Sequence, residues 1–199
     1  MKNRNRDSEE LEAAAGGDEE AFARLYRLYC NQVHGFAYRM LGTQAAAEDV
    51  THEAFMVLIE HPERYDAERG SVLTFLCAVA RNQIFKHFRR RGCELEDFSS
   101  EEDICLVRDE DRPDPLTVLL DRELAEKVNE SIALLPTLQR EAVVLREFQE
   151  MTYDEISAVT GAEVNVVKAR LYRARRSLIG HLSSYMSLRE ERCYELRKG

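Results

Sequence analysis

Between residues 93 and 115 ten carboxylates crowd into a stretch that lacks helical apolar spacing: Glu94, Glu96, Asp97, Glu101, Glu102, Asp103, Asp109, Glu110, Asp111 and Asp114. Like charges repel and extend a backbone, and Pro113 and Pro115 interrupt helical hydrogen bonding, so the run predicts a tether rather than a packed element. It divides the 199-residue chain into two blocks, each suited to one small core. In both blocks apolar residues recur three or four apart, the spacing that lines one face of a helix. The expected fold class is all-α: two small helical domains joined by an acidic linker, separately folded and independently mobile.

The periodicity locates the helices. Over 21–40 the apolar face is Phe22, Leu25, Tyr29, Val33, Phe36 and Met40, and Gly42 breaks it. A second pattern carries Ala47, Val50, Ala54, Val57 and Leu58 to a stop near Pro62, and a third, over 71–90, carries Leu76, Ala80, Ile84 and Phe88. Beyond the tether, Leu116, Leu119, Leu120, Leu124 and Val128 share a face, as do Leu138, Ala142, Leu145 and Phe148 after Pro136. Thr152 and Glu155 have capping-box spacing, which predicts a short helix bearing Ile156 and Val159 inward and ending at Gly161. A longer helix follows with Val164, Val167, Leu171, Ala174 and Leu178 on one stripe, so the second domain contains a helix-turn-helix. The expected divisions are 1–17, an N-terminal extension; 18–92, the first domain; 93–115, the linker; 116–182, the second domain; and 183–199, a tail.

Net charge alone, 28 Lys and Arg against 37 Asp and Glu, argues against a nucleic-acid binder, but the cations are unevenly placed. Opposite the core stripe of the last helix stand Lys168, Tyr172, Arg173, Arg175 and Arg176, with small Ala169 among them. The second helix of a helix-turn-helix lies in a DNA major groove, where Arg and Lys reach guanine edges or phosphates and Tyr stacks or meets a thymine methyl. A basic face is often merely solvated; here a capped helix, a glycine turn and the cationic stripe occur together and in order.

A second basic cluster, Arg81, Lys86, Arg89, Arg90 and Arg91, contains no acidic residue from 81 to 92 and has Tyr65, Phe75, Phe85 and Phe88 around it. Cations with aromatics suit opened DNA, whose bases stack or enter pockets. Asn82 can donate and accept at once, as base-edge reading requires, although a surface Asn is more often just solvated. On the helix before it, Asp49, His52 and Glu53 form an acidic face fit for a basic partner helix.

Other function classes find little support. No phosphate loop, dinucleotide fingerprint or nucleophile elbow is present, and His52-Glu53 does not extend to a zinc motif because position 56 is Met56. Cys30, Cys77, Cys93, Cys105 and Cys193 are scattered without a C-x-x-C pair, which fits a reducing cytoplasm better than a disulfide framework. Neither a secretory signal nor a bilayer-crossing stretch is legible, so no membrane insertion is expected. The chain is expected to be no enzyme, with no catalytic residue, metal or cofactor.

The motifs AEDVTHEAF, RYDAERGSVLTFLCAVARN and HFRRR within 46–91, and LLPTLQREAVVLREFQEMTYDEISAVTGAEVNVVKARLYRARRSL within 134–182, resemble the second and fourth domains of extracytoplasmic-function sigma factors of bacterial RNA polymerase. The resemblance implies a promoter-reading polymerase subunit. It places Asp49 and Glu53 at the contact with core RNA polymerase. It places Asn82 at the family's base-capture position, with Arg81, Lys86, Arg89 and Arg90 around it at the promoter element near the start site. Lys168, Ala169, Tyr172 and Arg173, flanked by Arg175 and Arg176, take the duplex contacts to the more distant element. Promoter DNA and core polymerase are the expected partners, with room for an inhibitory anti-sigma factor. The chain departs from the family's pattern at His52, where Gln is common, at Phe75, where Trp is common, and at Asn165-Val166, where Gly-Thr is usual. The tail 183–199 exceeds the family's usual end and offers either a further helix or a partner site. A stand-alone helix-turn-helix regulator with a sensing first domain is the alternative, and a nucleic-acid-modifying enzyme lacks candidate catalytic residues.

Overall fold

A computed structural model gives the fold; it describes residues 2–92 and 121–196. The acidic run 93–115 and Leu116, Leu119 and Leu120 therefore lie outside the described residues. All regular structure among the described residues is helical: α1 (Lys2–Ala15), α2 (Glu19–Leu41), α3 (Gln44–Glu60), α4 (Val72–Arg90), α5 (Asp121–Ala133), α6 (Thr137–Val143), α7 (Tyr153–Thr160) and α8 (Val164–Leu196). A short 3-10 turn, Pro62–Arg64, follows α3, and a π-helical turn, Val144–Phe148, continues α6.

Several helix ends have a local chemical cause. Asp18 opens α2, its Oδ1 accepting the amides of Glu20 and Ala21 at 2.9 and 3.1 Å, with Glu19 and Glu20 favourably placed against the helix dipole. Gly42 closes it in the left-handed region at φ 75°, donating its amide to the Tyr38 carbonyl at 2.8 Å. Ser71 Oγ caps α4 by accepting the Thr74 amide at 3.2 Å. The faces follow the sequence pattern with small rotations. In α2 Ala21 is buried and Phe22 instead joins an aromatic cluster with Tyr26 and Phe55. In α3 Thr51 and Phe55 are buried with Ala47, Val50, Ala54 and Leu58, whereas Val57 is half-buried. The Thr51 hydroxyl donates to the Ala47 carbonyl at 2.7 Å, so its burial leaves no donor stranded.

Residues 1–17, expected as an extension, supply α1, which lies on α2. Leu11 and Ala14 are buried, the Tyr29 hydroxyl donates to Asp7 Oδ2 at 2.5 Å, and Glu10 pairs with Arg24 at 2.8 Å. Two apolar residues three apart suffice to seat a helix that otherwise reads as charged and Ala-rich. Burial, followed by the Asp7 bond, holds the Tyr29 hydroxyl above the usual tyrosine range.

In the second block the capping box is complete. The Thr152 amide donates to Glu155 Oε2 at 2.9 Å and Thr152 Oγ1 accepts the Glu155 amide at 3.3 Å. Gly161 ends α7 at φ 71°, and Ser157 Oγ donates across the turn to the Ala162 carbonyl at 2.7 Å. Ile156, Val159, Val167, Leu171 and Ala174 are buried together, so α7 and α8 form the expected helix-turn-helix. Thr152→Ala removes the hydroxyl arm of the box, leaving only the backbone amide of residue 152 on Glu155, and is expected to lower unfolding stability by about 1 kcal/mol. A denaturant midpoint equal to that of the unsubstituted chain would show that this arm contributes nothing.

The two blocks do not stand apart. α7 packs against α4, and α2 meets the end of α6 and its π-helical turn. Arg81 Nε donates to Glu141 Oε1 at 2.6 Å, Gln149 Nε2 to the Gln32 carbonyl at 3.1 Å, and Arg140 Nη1 to the Met40 carbonyl at 3.1 Å. The Arg39 guanidinium lies 3.9 Å from the centre of the Phe148 ring. The two blocks thus meet in a specific interface that includes polar pairs, which apolar periodicity does not report.

Candidate nucleic-acid interface

On α8 the core takes Val167, Arg170, Leu171 and Ala174, and the opposite side carries the expected cations. Lys168 and Arg176 are exposed, and Ala169, Tyr172 and Arg173 are half-buried along the same side. The Lys168 ammonium sits 5.5 Å from the centre of the Tyr153 ring of α7, so the two helices present one surface. Arg175 also belongs to the expected stripe, but it turns to Glu147 at 2.8 Å because the π-helical turn after α6 brings a carboxylate within reach.

On α4, Asn82, Lys86, Arg89 and Arg90 are exposed, and Arg89 Nε donates to the Phe85 carbonyl at 3.4 Å. Arg91 and Gly92 continue the exposed basic end. Tyr65, in the loop before α4, meets Phe75 in the first turn of α4 edge to face at 6.0 Å, and the Tyr65 hydroxyl donates to the Gly70 carbonyl at 3.4 Å. They border an open cavity of about 150 Å³ with Arg64, Arg69, Thr74, Ala78 and, from α7, Ala158. Phe85 and Phe88 lie against the core, at 6.2 Å from each other.

Arg81 is placed differently from its neighbours. It stacks 4.2 Å over the Phe85 ring and pairs with Glu141, whose side chain is 0% exposed. Burial pushes the Glu141 carboxyl up, while Arg81 and then Arg170 draw it back down. Neither Glu141 nor Arg170 is among the sequence candidates. Their signal was legible: Glu141 falls between Leu138 and Leu145 on an apolar stripe, and Arg170 between Val167 and Ala174 on another.

The α3 surface is acidic as expected, with Asp49, His52 and Glu53 exposed. Glu53 Oε1 accepts from Gln83 Nε2 of α4 at 3.4 Å, so the two helices share an edge. Among the described residues no group of His, Cys, Asp and Glu could hold a metal ion, and no helix is long and apolar enough to cross a membrane. Cys77 is fully buried in α4, and burial pushes its thiol up to about 12.

Residues 25–93, spanning most of α2 with α3 and α4, match Sigma-70 region 2, and residues 125–178, from within α5 into α8, match Sigma-70, region 4. Over 176 residues the chain is 31% identical to the ECF RNA polymerase sigma factor SigE of Mycolicibacterium smegmatis, covering 87% of this chain and 67% of that protein. The chain belongs to the extracytoplasmic-function sigma factors. It is also 28% identical to the ECF sigma factor SigW of Bacillus subtilis, over 81% of this chain and 89% of that one. Solved structures share the sigma factor's fold: CnrH, in complex with the cytosolic domain of CnrY, has a TM-score of 0.65 at 21% identity and covers 89% of this chain and 97% of its own. RpoE, in complex with the anti-sigma factor NepR from Bartonella quintana, has a TM-score of 0.61 at 20% identity, over 81% and 96%. The sigma factor therefore acts in promoter recognition and transcription initiation.

Proposed function

We propose a division of labour among three surfaces. The face of α8 bearing Lys168, Ala169, Tyr172, Arg173 and Arg176, edged by Arg175, reads the distant promoter element as duplex. The face of α4 bearing Asn82, Lys86, Arg89 and Arg90, joined by Arg81 when it is released, captures and holds opened strands near the start site. Asp49 and Glu53 dock on core RNA polymerase. The observation that supports this most is the segregation of charge. In a chain of net charge −9, exposed cations cluster on the second helix of a helix-turn-helix and at the end of α4, while the neighbouring face of α3 is acidic.

The chain works by binding, in the cytoplasm where polymerase and promoter are found, and carries no catalytic step of its own. A regulatory partner of the anti-sigma class is inferred, since two proteins of the same fold are held by CnrY and NepR. Run-off transcription from genomic fragments with purified core polymerase tests the whole reading. Discrete start sites are expected only when the chain is added, and a pattern identical to that of core polymerase alone would refute it.

A further inference from the structure

We propose that α1 is a positioning element for strand capture: Asp7, through the Tyr29 hydroxyl, sets the floor on which Tyr65 rests and so holds the loop 61–71 in the shape that receives an unpaired base. This rests on the assignment of α4 and the loop before it to opened strands. α1 precedes the stretch 25–93 shared with Sigma-70 region 2, so the role falls to a part of the chain that the match does not cover. Asp7, Leu11 and Ala14 are buried at steps of four and three on one face of α1. The two apolar residues are enough to seat the helix on α2, whereas a buried carboxylate loses hydration and destabilises the fold unless a donor meets it. That donor is the Tyr29 hydroxyl, 2.5 Å from Asp7 Oδ2.

On the far side of that bond lies the loop. α1 meets the 3-10 turn Pro62–Arg64 and α4 as well as α2. The Tyr29 hydroxyl is held above the usual tyrosine range first by burial, then by Asp7 and last by the Tyr65 phenol, so Asp7, Tyr29 and Tyr65 form one polar cluster between α1, α2 and the loop. Between Tyr65 and Ser71 the backbone runs without helix. Asp66 accepts the amides of Glu68 at 2.9 Å and Arg69 at 3.1 Å, which ties the turn only to itself. Tyr65 ties it to the body: its ring packs against the core and the edge of Phe75, and its hydroxyl crosses the loop to the Gly70 carbonyl. Gly70 is buried, and a Cβ there would come within 3.1 Å of Thr74, so the loop has little slack at that end. Arg64 and Arg69 stand exposed on either side of the Tyr65 anchor, at the rim of the cavity. A tilt of the Tyr65 ring therefore moves both cations and the opening between them. The Glu10–Arg24 pair, with Leu11 and Ala14, holds α1 to α2 independently of Asp7, so loss of the Asp7 carboxylate loosens the cluster without releasing the helix.

The test uses holoenzyme assembled from the full chain and core polymerase, on a promoter duplex with a preformed bubble at the element near the start site. Abasic sites placed one at a time along the opened strand locate the captured base: with the unsubstituted chain, one position is expected to cost about tenfold in affinity. Asp7→Ala should weaken binding to the intact bubble about tenfold and shrink the abasic penalty at that position to less than about twofold, because the loop no longer holds the base whose absence it would report. Tyr29→Phe keeps the ring in the core and removes only the hydroxyl; it should act like Asp7→Ala and serves where that variant folds poorly. Asp7→Asn retains an oxygen to accept from Tyr29 and should restore both the affinity and the penalty. Core affinity and binding to the distant element should be unchanged in all three. An undiminished abasic penalty in Asp7→Ala and Tyr29→Phe, a matching loss of core affinity, or no rescue by Asp7→Asn would overturn the proposal. The absence of any position-dependent penalty in the unsubstituted holoenzyme would instead remove the assignment of α4 and its loop to opened strands, and this proposal with it.

Discussion

Reversing both charges in Asp49→Lys with Glu53→Lys is expected to weaken binding to core RNA polymerase by about 2–5 kcal/mol, provided that both carboxylates pair with cations that lose water on docking. The two residues are exposed on α3, whose other side holds Ala47, Val50, Ala54 and Leu58 in the core. Reversal therefore alters the docking surface without touching the packing. The only intramolecular contact described for either carboxylate is the 3.4 Å bond from Gln83 to Glu53, at an exposed edge. An exposed bond of that kind contributes little to stability, so the melting temperature should hardly move. Core affinity measured by polarisation of a labelled chain checks this; unchanged affinity in a folded double variant would remove α3 from the docking surface.

The two DNA-contacting helices should fail differently when substituted. Arg173→Ala is expected to lose about 1–3 kcal/mol of binding to the isolated distant element if the guanidinium makes a bidentate base contact. A contact to phosphate alone would instead give a loss shared by all sequences and a shallower salt dependence, because one fewer counterion is released. Asn82→Ala should leave that duplex binding intact. Asn82 is exposed on α4, in the other block, where the Ala80 and Ile84 side chains that seat the helix are fully buried and unaffected. Its loss falls on strand opening, where an extruded base is deprived of an amide partner.

Most of the architecture was legible because helices advertise themselves locally. The α2 face from Leu25 to Met40, the Thr152 capping box and the Gly161 stop each depend on residues within a turn or two of one another, and the structure has them all. The cationic side of α8 was legible for the same reason. What escaped notice depends on residues far apart in sequence. Arg81 reads as one more cation of a basic cluster until Glu141, 60 residues later, is brought to 2.6 Å. Gln149 and Gln32, 117 residues apart, carry no pattern that announces their bond. Arg175 was assigned to the solvent-facing stripe by helical phase alone, and phase says nothing of the Glu147 carboxylate that the π-helical turn delivers. The displaced charges at Glu141 and Arg170, each breaking an apolar stripe, were the one sequence sign that the second block carries buried ions as well as a hydrophobic core.

Permanganate reactivity of promoter thymines, measured beside binding to the isolated distant element on a promoter chosen by run-off transcription, tests most directly the claim that two helices of this sigma factor do separate work. With core polymerase present, Asn82→Ala should bind the distant element as the unsubstituted chain does and leave thymines near the start site unreactive. Arg173→Ala should bind the distant element weakly. Normal thymine reactivity with Asn82→Ala, or normal distant-element binding with Arg173→Ala, would contradict the assignment of the corresponding helix.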